Sequence, residues 1–350
     1  MRKLIPLLFL FFWSCTAWAD YAQAVAALKE KDYASAETLL QDAASKGDAR
    51  AWNALGVMYL DGMGVAQDDV QALVYFGKAA SGGNTNALKS LINIFGQGTA
   101  TVPKNADRAR GWAIKFAQAN NLYAAFAYYQ LTIENELSVV DGKGKFDRSR
   151  YAALAKRSVA DRELDTQAFS LLSFAAERGF VPAVAEAQQI LLTRSGEGVA
   201  ERALSFDEEI QQRYATKISA DVYAQLQQDA EKLRGLKNLG DSFVSVGLFN
   251  DVFPAAASAA YSVSGVNPSG CASSRVKVKR LQVTQRMQGK ETLYIRARLL
   301  SDMMMLKGRW QELWTMDVCG KTVSVPVSFE ADGWAGANFL VQAPQAQLVN

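Results

Sequence analysis

Apolar residues recur at three- and four-residue spacing over most of the amino-terminal two thirds of the chain, and this period is typical of helices with one buried face. Leu55 and Met58 lie on such a face. Gly62 then interrupts the pattern, because glycine reaches the backbone angles that a tight turn requires. A second helical period follows, and Asp68 or Asp69 is expected to cap it. The pattern predicts a helix, a glycine turn and a second helix.

A nine-residue pattern occurs four times along the chain. It reads AASKGDARA at 43–51, AASGGNTNA at 79–87, FAQANNLYA at 116–124 and AAERGFVPA at 175–183. The first three copies start 36 and 37 residues apart, and a period in the mid-thirties is the mark of a two-helix solenoid unit. Each stretch is therefore predicted to be the joint between one helical pair and the next, where small residues let the helices approach closely.

The fullest copy of the repeat, residues 51–83, combines small, aromatic and glycine positions in a fixed order. These positions are Ala54, Leu55, Gly56, Met58, Tyr59, Gly62, Gly64, Val65, Asp68, Ala72, Tyr75, Phe76, Lys78, Ala79, Ala80 and Gly83. In these residues the chain resembles the Sel-one-like repeat (SLR) family, relatives of the tetratricopeptide (TPR) repeats. The resemblance is specific over 20–120 and looser to residue 200. It implies a curved α-solenoid that serves as an adaptor for proteins, often in bacterial envelope or signalling assemblies.

Aromatic residues of the repeats are the candidate contacts for a partner. Stacked helix pairs form an extended concave face without a deep closed pocket, so they suit peptides, protein segments or polymers better than catalysis. Tyr59, Tyr75 and Trp112 occupy core positions of the repeat and are expected to pack inside. Trp52 and Tyr123 fall outside that set and are predicted to bind the partner.

The amino terminus has the pattern of a secretory signal peptide: a basic start, an apolar run and a small-residue cleavage site. Residues 1–19 are predicted to be removed after Ala19, which would make the protein periplasmic or secreted. Lipoprotein processing at Cys15 is the alternative. Cleavage removes Arg2 and Lys3 and no acid, so the formal charge falls from +3 to +1. A protein with so balanced a charge has no electrostatic case for binding nucleic acid.

The pattern changes after residue 205. Residues 206–234 are predicted to form a long helix or helical cap, or a pair of helices broken near Ser219. Residues 235–270 are expected to be a linker, because glycine, serine and proline interrupt every period. Residues 271–345 predict a small antiparallel β domain. Its expected strands are 274–283, 292–300, 311–319, 321–331 and 337–343.

The predicted fold class is therefore mostly α. An α-α superhelical solenoid of Sel-like, TPR-like repeats over 20–205 is followed by the small antiparallel β domain.

Two cysteines lie in the predicted β domain, one in a predicted turn and both in a predicted disulfide. Cys319, Gly320 and Lys321 are expected to form a tight turn between two strands, and Pro326 in the second of these strands argues for an edge position or a bulge. Cys271 and Cys319 remain after signal cleavage, and in an oxidising compartment they are predicted to form a disulfide. Two buried free thiols are the alternative.

The chain contains no histidine, which excludes Ser-His-Asp and Cys-His catalysis and histidine-bearing zinc sites. Two cysteines are too few for a thiolate metal cluster, and we predict no catalytic residue, metal or cofactor. The preferred hypothesis is a non-enzymatic adaptor for a protein or peptide of the cell envelope. One alternative is a module for cell-wall glycan (peptidoglycan), in which Trp310, Trp314 and Trp334 stack on sugars. Another is a carboxylate-based hydrolase that uses Glu312 and Glu330.

Overall fold

The structure of the chain is a computed structural model, which describes residues 20–136, 149, 150, 153, 156, 162–266, 271, 272, 275–294, 303–332 and 336–349. The predicted signal peptide, residues 1–19, lies outside the described residues. The chain divides into two compact units, Met1–Leu131 and Thr132–Asn350. In the part of the chain that is described, none of the helices combines the length and apolarity needed to cross a membrane.

The first unit is built from helices joined by short turns, and between residues 33 and 118 the helices next to each other in sequence pack together. Its core is dominated by small residues, and Gly56 shows why: a Cβ there would lie 2.6 Å from the Phe76 ring. The helices are α1, described over residues 20–29, α2 Tyr33–Ser45, α3 Ala49–Asp61, α4 Asp69–Ser81, α5 Thr85–Gln97, α6 Ala106–Gln118 and α7 Leu122–Glu136, which runs on into the second unit.

The four repeated stretches lie at the predicted joints. In each, the amide of the sixth residue donates to the carbonyl of the first, as in Asp48 to Ala43 at 3.1 Å and Asn84 to Ala79 at 3.0 Å. The fifth residue of each stretch has a positive φ, and it is Gly47, Gly83, Asn120 or Gly179. Because L residues with a Cβ avoid this region, glycine or asparagine is needed there. The joint prediction is confirmed.

Polar side chains mark where the helices of the first unit begin. Asp48, Asp68 and Asn84 each accept a hydrogen bond from a backbone amide in the first turn of the helix that follows. Of the two predicted caps for α4, Asp68 is the one used. Asp69 instead accepts hydrogen bonds from hydroxyls of the 99–101 turn, at 2.7 Å for Thr101. The carboxylate of Asp69 therefore ties one repeat to the loop of the next.

The second unit begins with further helices: α8 Glu163–Ala176, α9 Val181–Thr193, α10 Val199–Tyr214 and α11 Ala220–Asn238. The segment predicted as one long helix or a broken pair is a pair, and Ser219 caps α11 by accepting from the Val222 amide. Asp207 is buried between these helices, and its Oδ2 accepts a hydrogen bond from Gln188 Nε2 at 2.8 Å. Burial, with some help from Asp229, raises the pKa of Asp207 to about 8.

The expectation of a linker over 235–270 is wrong in part, because the segment contains helix α12, Val246–Ser264. Leu248, Val252, Ala256 and Ala260 recur every four residues on its buried face. Pro254 lies inside the helix and obscured this period, since proline usually ends a helix. Strand β1, Gly240–Asp241, also falls in this segment and pairs with Leu281 and Gln282.

A six-stranded sheet packs on α12. Its remaining strands are β2 Val276–Tyr294, β3 Met303–Val318, β4 Lys321–Ala331, β5 Ala337–Val341 and β6 Gln347–Leu348. The order is β1-β2-β3-β4-β5, with β6 also paired to β4 and every pair antiparallel except β1 with β2. The fold class is therefore confirmed as mostly α, a helical solenoid followed by a small sheet.

Of the expected strands 274–283 and 292–300, the first is shorter than the strand in the structure. One long strand, β2, covers the first and runs into the second, whose residues 295–300 lie outside the described residues. The predicted turn at Cys319–Gly320 is confirmed, with φ of 50° and 89°. Pro326 lies in β4, which has neighbours on both sides. The Pro326 carbonyl accepts a hydrogen bond from the Gln342 amide at 2.9 Å. Because the nitrogen and the carbonyl of a strand residue point to the same side, the Pro326 ring nitrogen faces the break between β5 and β6.

Candidate protein-binding surface

Trp52 is the best-formed candidate contact of the first unit. It lies in the first turn of α3, half-buried, and stacks on Tyr75 of α4 with ring centroids 5.6 Å apart. The ammonium of Lys78 lies 4.3 Å from the centroid of the Trp52 ring and 5.9 Å from that of Tyr75. This is cation–π geometry, in which the ring face attracts the ammonium and limits its movement.

Tyr123, the second predicted contact, lies in the first turn of α7 and is also half-buried. The Lys89 ammonium of α5 lies 5.0 Å from its ring centroid. Burial raises the pKa of the Tyr123 phenol. Trp52 and Tyr123 thus share an arrangement, although sequence alone did not indicate that a lysine would lie over each ring. Their role in binding stays a prediction.

The aromatic residues expected in the core are only half-buried. Tyr59 packs against Tyr75 at 5.2 Å, and its hydroxyl donates to Glu37 at 3.3 Å. Burial, together with Tyr75 and Glu37, raises the pKa of Tyr59 to about 12. Trp112 of α6 lies beside Gly77 of α4, where an added Cβ would be 4.0 Å from the indole. These rings therefore pack between helices and still reach the surface.

Trp310 and Trp314 lie in the core of the second unit. Their side chains are 1% and 0% exposed, which corrects the expectation that both rings can stack on a ligand at the surface. They point to the inner face of β3, where α12 covers them: Phe249 of α12 stacks on Trp314 at 5.2 Å. Trp334 lies outside the described residues.

Glu312 lies between the two tryptophans on the same inner face and is also fully buried. Its Oε1 accepts hydrogen bonds from the Phe243 amide at 2.8 Å and Trp310 Nε1 at 3.0 Å. Its Oε2 accepts from the Ser242 hydroxyl at 2.9 Å and Trp314 Nε1 at 3.1 Å. Burial raises the pKa of the Glu312 carboxyl, and these four donors act against the rise. The carboxylate joins residues 242–243 to the sheet.

The two carboxylates of the hydrolase hypothesis have different surroundings. Glu312 has both oxygens occupied by internal donors and no exposed surface. Glu330 is exposed on β4 and pairs with Arg309 at 2.7 Å. A glycosidase needs both carboxyls on one accessible cleft, and buried Glu312 does not supply one. Across the described ranges, no three histidine, cysteine, aspartate or glutamate side chains are grouped to hold a metal ion.

The predicted disulfide between Cys271 and Cys319 is present. It ties the segment after α12 to the end of β3, and two further contacts support the same junction. The Tyr261 hydroxyl donates to the Cys271 carbonyl at 3.1 Å, and Lys321 Nζ donates to the Ser264 carbonyl at 2.9 Å.

Comparison with known proteins finds the repeats. Residues 49–84 and 93–121 match the family model of the Sel1 repeat. Among solved structures, the chain is similar to a Sel1 repeat protein from Oxalobacter formigenes, with 22% identity over 61% of this chain and 82% of that chain and a TM-score of 0.36.

The chain is also similar to a protective antigen of uropathogenic Escherichia coli strains that displays an SLR fold. The identity is 17% over 67% of this chain and 56% of that chain, with a TM-score of 0.31. The chain thus matches little more than half the length of that antigen. No curated protein matches the chain. Residues 49–84 and 93–121 of the chain are therefore Sel1 repeats, set in the helical part of the protein.

Proposed function

We propose that this protein is an exported, non-enzymatic adaptor of the bacterial cell envelope whose helical repeats bind a protein or peptide partner. Sel1 repeats commonly mediate protein–protein interaction, and two of them occupy about half of the first unit. The single observation that carries the proposal is the set of half-buried rings at Trp52, Tyr75 and Tyr123. Such rings supply a large contact area at low entropic cost and are frequent at protein interfaces.

Export is supported by two independent features. The sequence of residues 1–19 has the pattern of a leader, and the Cys271–Cys319 disulfide is of the kind that persists in oxidising compartments. Amino-terminal sequencing of the protein purified from cells tests this part. A mature chain that begins at Asp20 supports export with cleavage after Ala19, whereas an intact Met1 contradicts it.

Site-specific photo-crosslinking tests the binding role. A benzoylphenylalanine in place of Trp52 or Tyr123 keeps an aromatic ring at each position and forms a covalent bond with a neighbouring chain under light. We expect protein adducts from both positions in whole cells. The same probe in place of Gly111, which is exposed on α6 with no atom within 4 Å of an added Cβ, should give few. Absence of adducts from positions 52 and 123 would contradict the proposal.

The glycan alternative is weakened, because two of its three tryptophans are buried. Sedimentation with purified peptidoglycan separates the two hypotheses. A protein adaptor stays in the supernatant, and a glycan-binding module sediments with the polymer.

A further inference from the structure

Charge is distributed unevenly along the first unit. Residues 20–69 contain nine acids and four lysines or arginines, whereas residues 70–131 contain six lysines or arginines and one acid, Asp107. That acid is already engaged, since it accepts a hydrogen bond from Arg110. The second half of the unit therefore carries an excess of positive charge that its own sequence does not neutralise.

Three of these cations share one environment. Lys78, Lys89 and Lys115 are exposed, and each lies over a half-buried ring: Trp52 at 4.3 Å, Tyr123 at 5.0 Å and Trp112 at 5.4 Å. Within the described residues, none of the three lysines has a carboxylate at ion-pair distance. By contrast, Lys46 contacts Asp20 and Asp42 at 2.7 and 2.8 Å.

The helical hairpins bring the three lysines to one end of the unit. Lys78 and Lys115 are in the last turns of α4 and α6, and Lys89 is near the start of α5. The joints 82–84 and 119–121 connect these helix ends, so the ends lie on the same side of the repeats, which we call the joint end. The Asn84 side chain donates to the Ala49 carbonyl at 3.4 Å, which places the start of α3 at this end too.

The helix dipole accounts for only two of the three lysine positions. A lysine in the last turn of α4 or α6 is favoured by the helix dipole. That effect explains the position of Lys78 and Lys115 but does not apply to Lys89, near the amino-terminal end of α5. Each ring holds its ammonium in place while the group stays open to solvent, so less entropy is lost when an anion binds.

We propose that the joint-end lysines, Lys78, Lys89 and Lys115, are the docking site for an acidic peptide segment of the partner protein. The inference rests on the proposed function and adds the chemistry of the partner. Carboxylates of such a segment pair with the three ammonium groups, and its apolar side chains contact the exposed parts of Trp52, Trp112 and Tyr123. Charge complementarity selects this occupant, because the joint end of residues 70–131 has no acid of its own.

Fluorescence anisotropy of the mature full-length protein tests the site. The probe is a fluorescein-labelled twelve-residue peptide of alternating glutamate and leucine, with a glutamine–leucine peptide as its neutral counterpart. We expect the acidic peptide to bind at 50 mM NaCl, more weakly at 300 mM, and the neutral peptide not to bind. Loss of the three exposed pairs predicts about five-fold weaker binding for the triple variant Lys78→Gln, Lys89→Gln, Lys115→Gln, which corresponds to about 1 kcal/mol.

Two matched variants test whether binding depends on the positions of the three lysines or only on the net charge of the protein. The triple variant Lys29→Gln, Lys104→Gln, Arg108→Gln also removes three positive charges, and Arg108 lies 4.3 Å over the Phe95 ring near the 98–105 loop, away from the joint end. It should bind within two-fold of the unaltered protein. The triple variant Lys78→Arg, Lys89→Arg, Lys115→Arg keeps the charges and the ring contacts and should also keep binding.

Three results would overturn the inference. They are no binding of the acidic peptide at low salt, equal loss in the two glutamine variants, and tighter binding of inorganic polyphosphate than of the peptide. The last would assign the site to an anionic polymer. If crosslinks from positions 52 and 123 form equally in the joint-end variant, the inference fails and the adaptor function stands. If no crosslinks form in either protein, the adaptor function fails.

Discussion

Replacing Glu312 with glutamine changes the chemistry of the second unit and keeps the size of the side chain. The carboxylate accepts four hydrogen bonds, two on each oxygen. An amide has one oxygen that accepts, and its NH₂ group only donates. If the amide oxygen takes the place of Oε1, the NH₂ group faces the Trp314 N–H and the Ser242 hydroxyl, both of which are donors in the native structure.

The expected loss of stability comes mainly from one hydrogen-bond donor, the Trp314 N–H, which loses its acceptor. The Trp314 N–H is fully buried, and leaving it without an acceptor costs about 1–3 kcal/mol. The bonds to the remaining oxygen also weaken, because a neutral acceptor is worth about half as much as a charged one. The neutral amide avoids the cost of burying a charge, and this gain offsets part of the loss of stability. We expect Glu312→Gln to lower the free energy of unfolding by about 2 kcal/mol.

Urea unfolding measures the change in the free energy of unfolding, and hydrogen exchange measures the change at the Phe243 amide. Exchange of the Phe243 amide should accelerate, because its bond to Glu312 holds residues 242–243 on the sheet. Glu330→Gln is the matched control on the neighbouring strand; it removes only an exposed pair with Arg309 and should change stability by less than about 0.5 kcal/mol. An unfolding free energy and Phe243 exchange rate equal to those of the unaltered protein would refute the structural role assigned to Glu312.

Three further changes probe other parts of the fold. Replacing Cys271 and Cys319 with serine should lower the free energy of unfolding by about 4 kcal/mol on the chain-entropy model for a sequence separation of 48, measured by urea titration; equal midpoints would contradict it. Gly83→Ala should lower the melting temperature, because φ is +88° and a left-handed residue with a Cβ costs about 1–2 kcal/mol, whereas Gly111→Ala inside α6 should raise it. The pKa of Asp207 is raised from 3.8 to about 8, so the folded protein keeps the Asp207 carboxyl protonated at pH values where the unfolded chain has lost the proton. The protonated carboxyl therefore contributes its full stabilisation below pH 3.8, and this contribution is lost as the pH rises to about 8. In urea titrations from pH 5 to 9, Asp207→Asn should remove a decline of up to about 1.4 kcal/mol per pH unit, and an unchanged slope would show that the decline has another source.

Local chemistry explains what could be predicted from the amino-acid sequence. A glycine or asparagine in the left-handed region, followed by a side chain that caps the next helix, acts within a few residues, so the joints at Gly47, Gly83, Asn120 and Gly179 were predictable. The turn at Cys319–Gly320 is local in the same sense. The disulfide was predictable for a different reason, since only two cysteines follow residue 19.

Contacts between distant segments explain what was missed. Alternation along β3 shows that Trp310, Glu312 and Trp314 share a face, but it does not show which face is covered. That depends on α12, whose period is obscured by Pro254 and by alanine and serine positions. Once α12 covers the inner face, the two tryptophans that the glycan alternative assigned to sugar stacking become core residues. The carboxylate that the hydrolase alternative placed in a catalytic pair becomes a buried acceptor.

The sequence by itself determined the helical pairs, their joints and the strands, because periodicity and turn chemistry act over short distances along the chain. Only the tertiary structure decided which side chains face solvent and which cations lie over which rings. Lys89 and Tyr123 are 34 positions apart, and their ammonium and ring meet because α5 and α7 pack as neighbours. In sequence, a lysine on a helix is an ordinary solvated residue; its lack of a counter-charge at the joint end is a property of the folded protein.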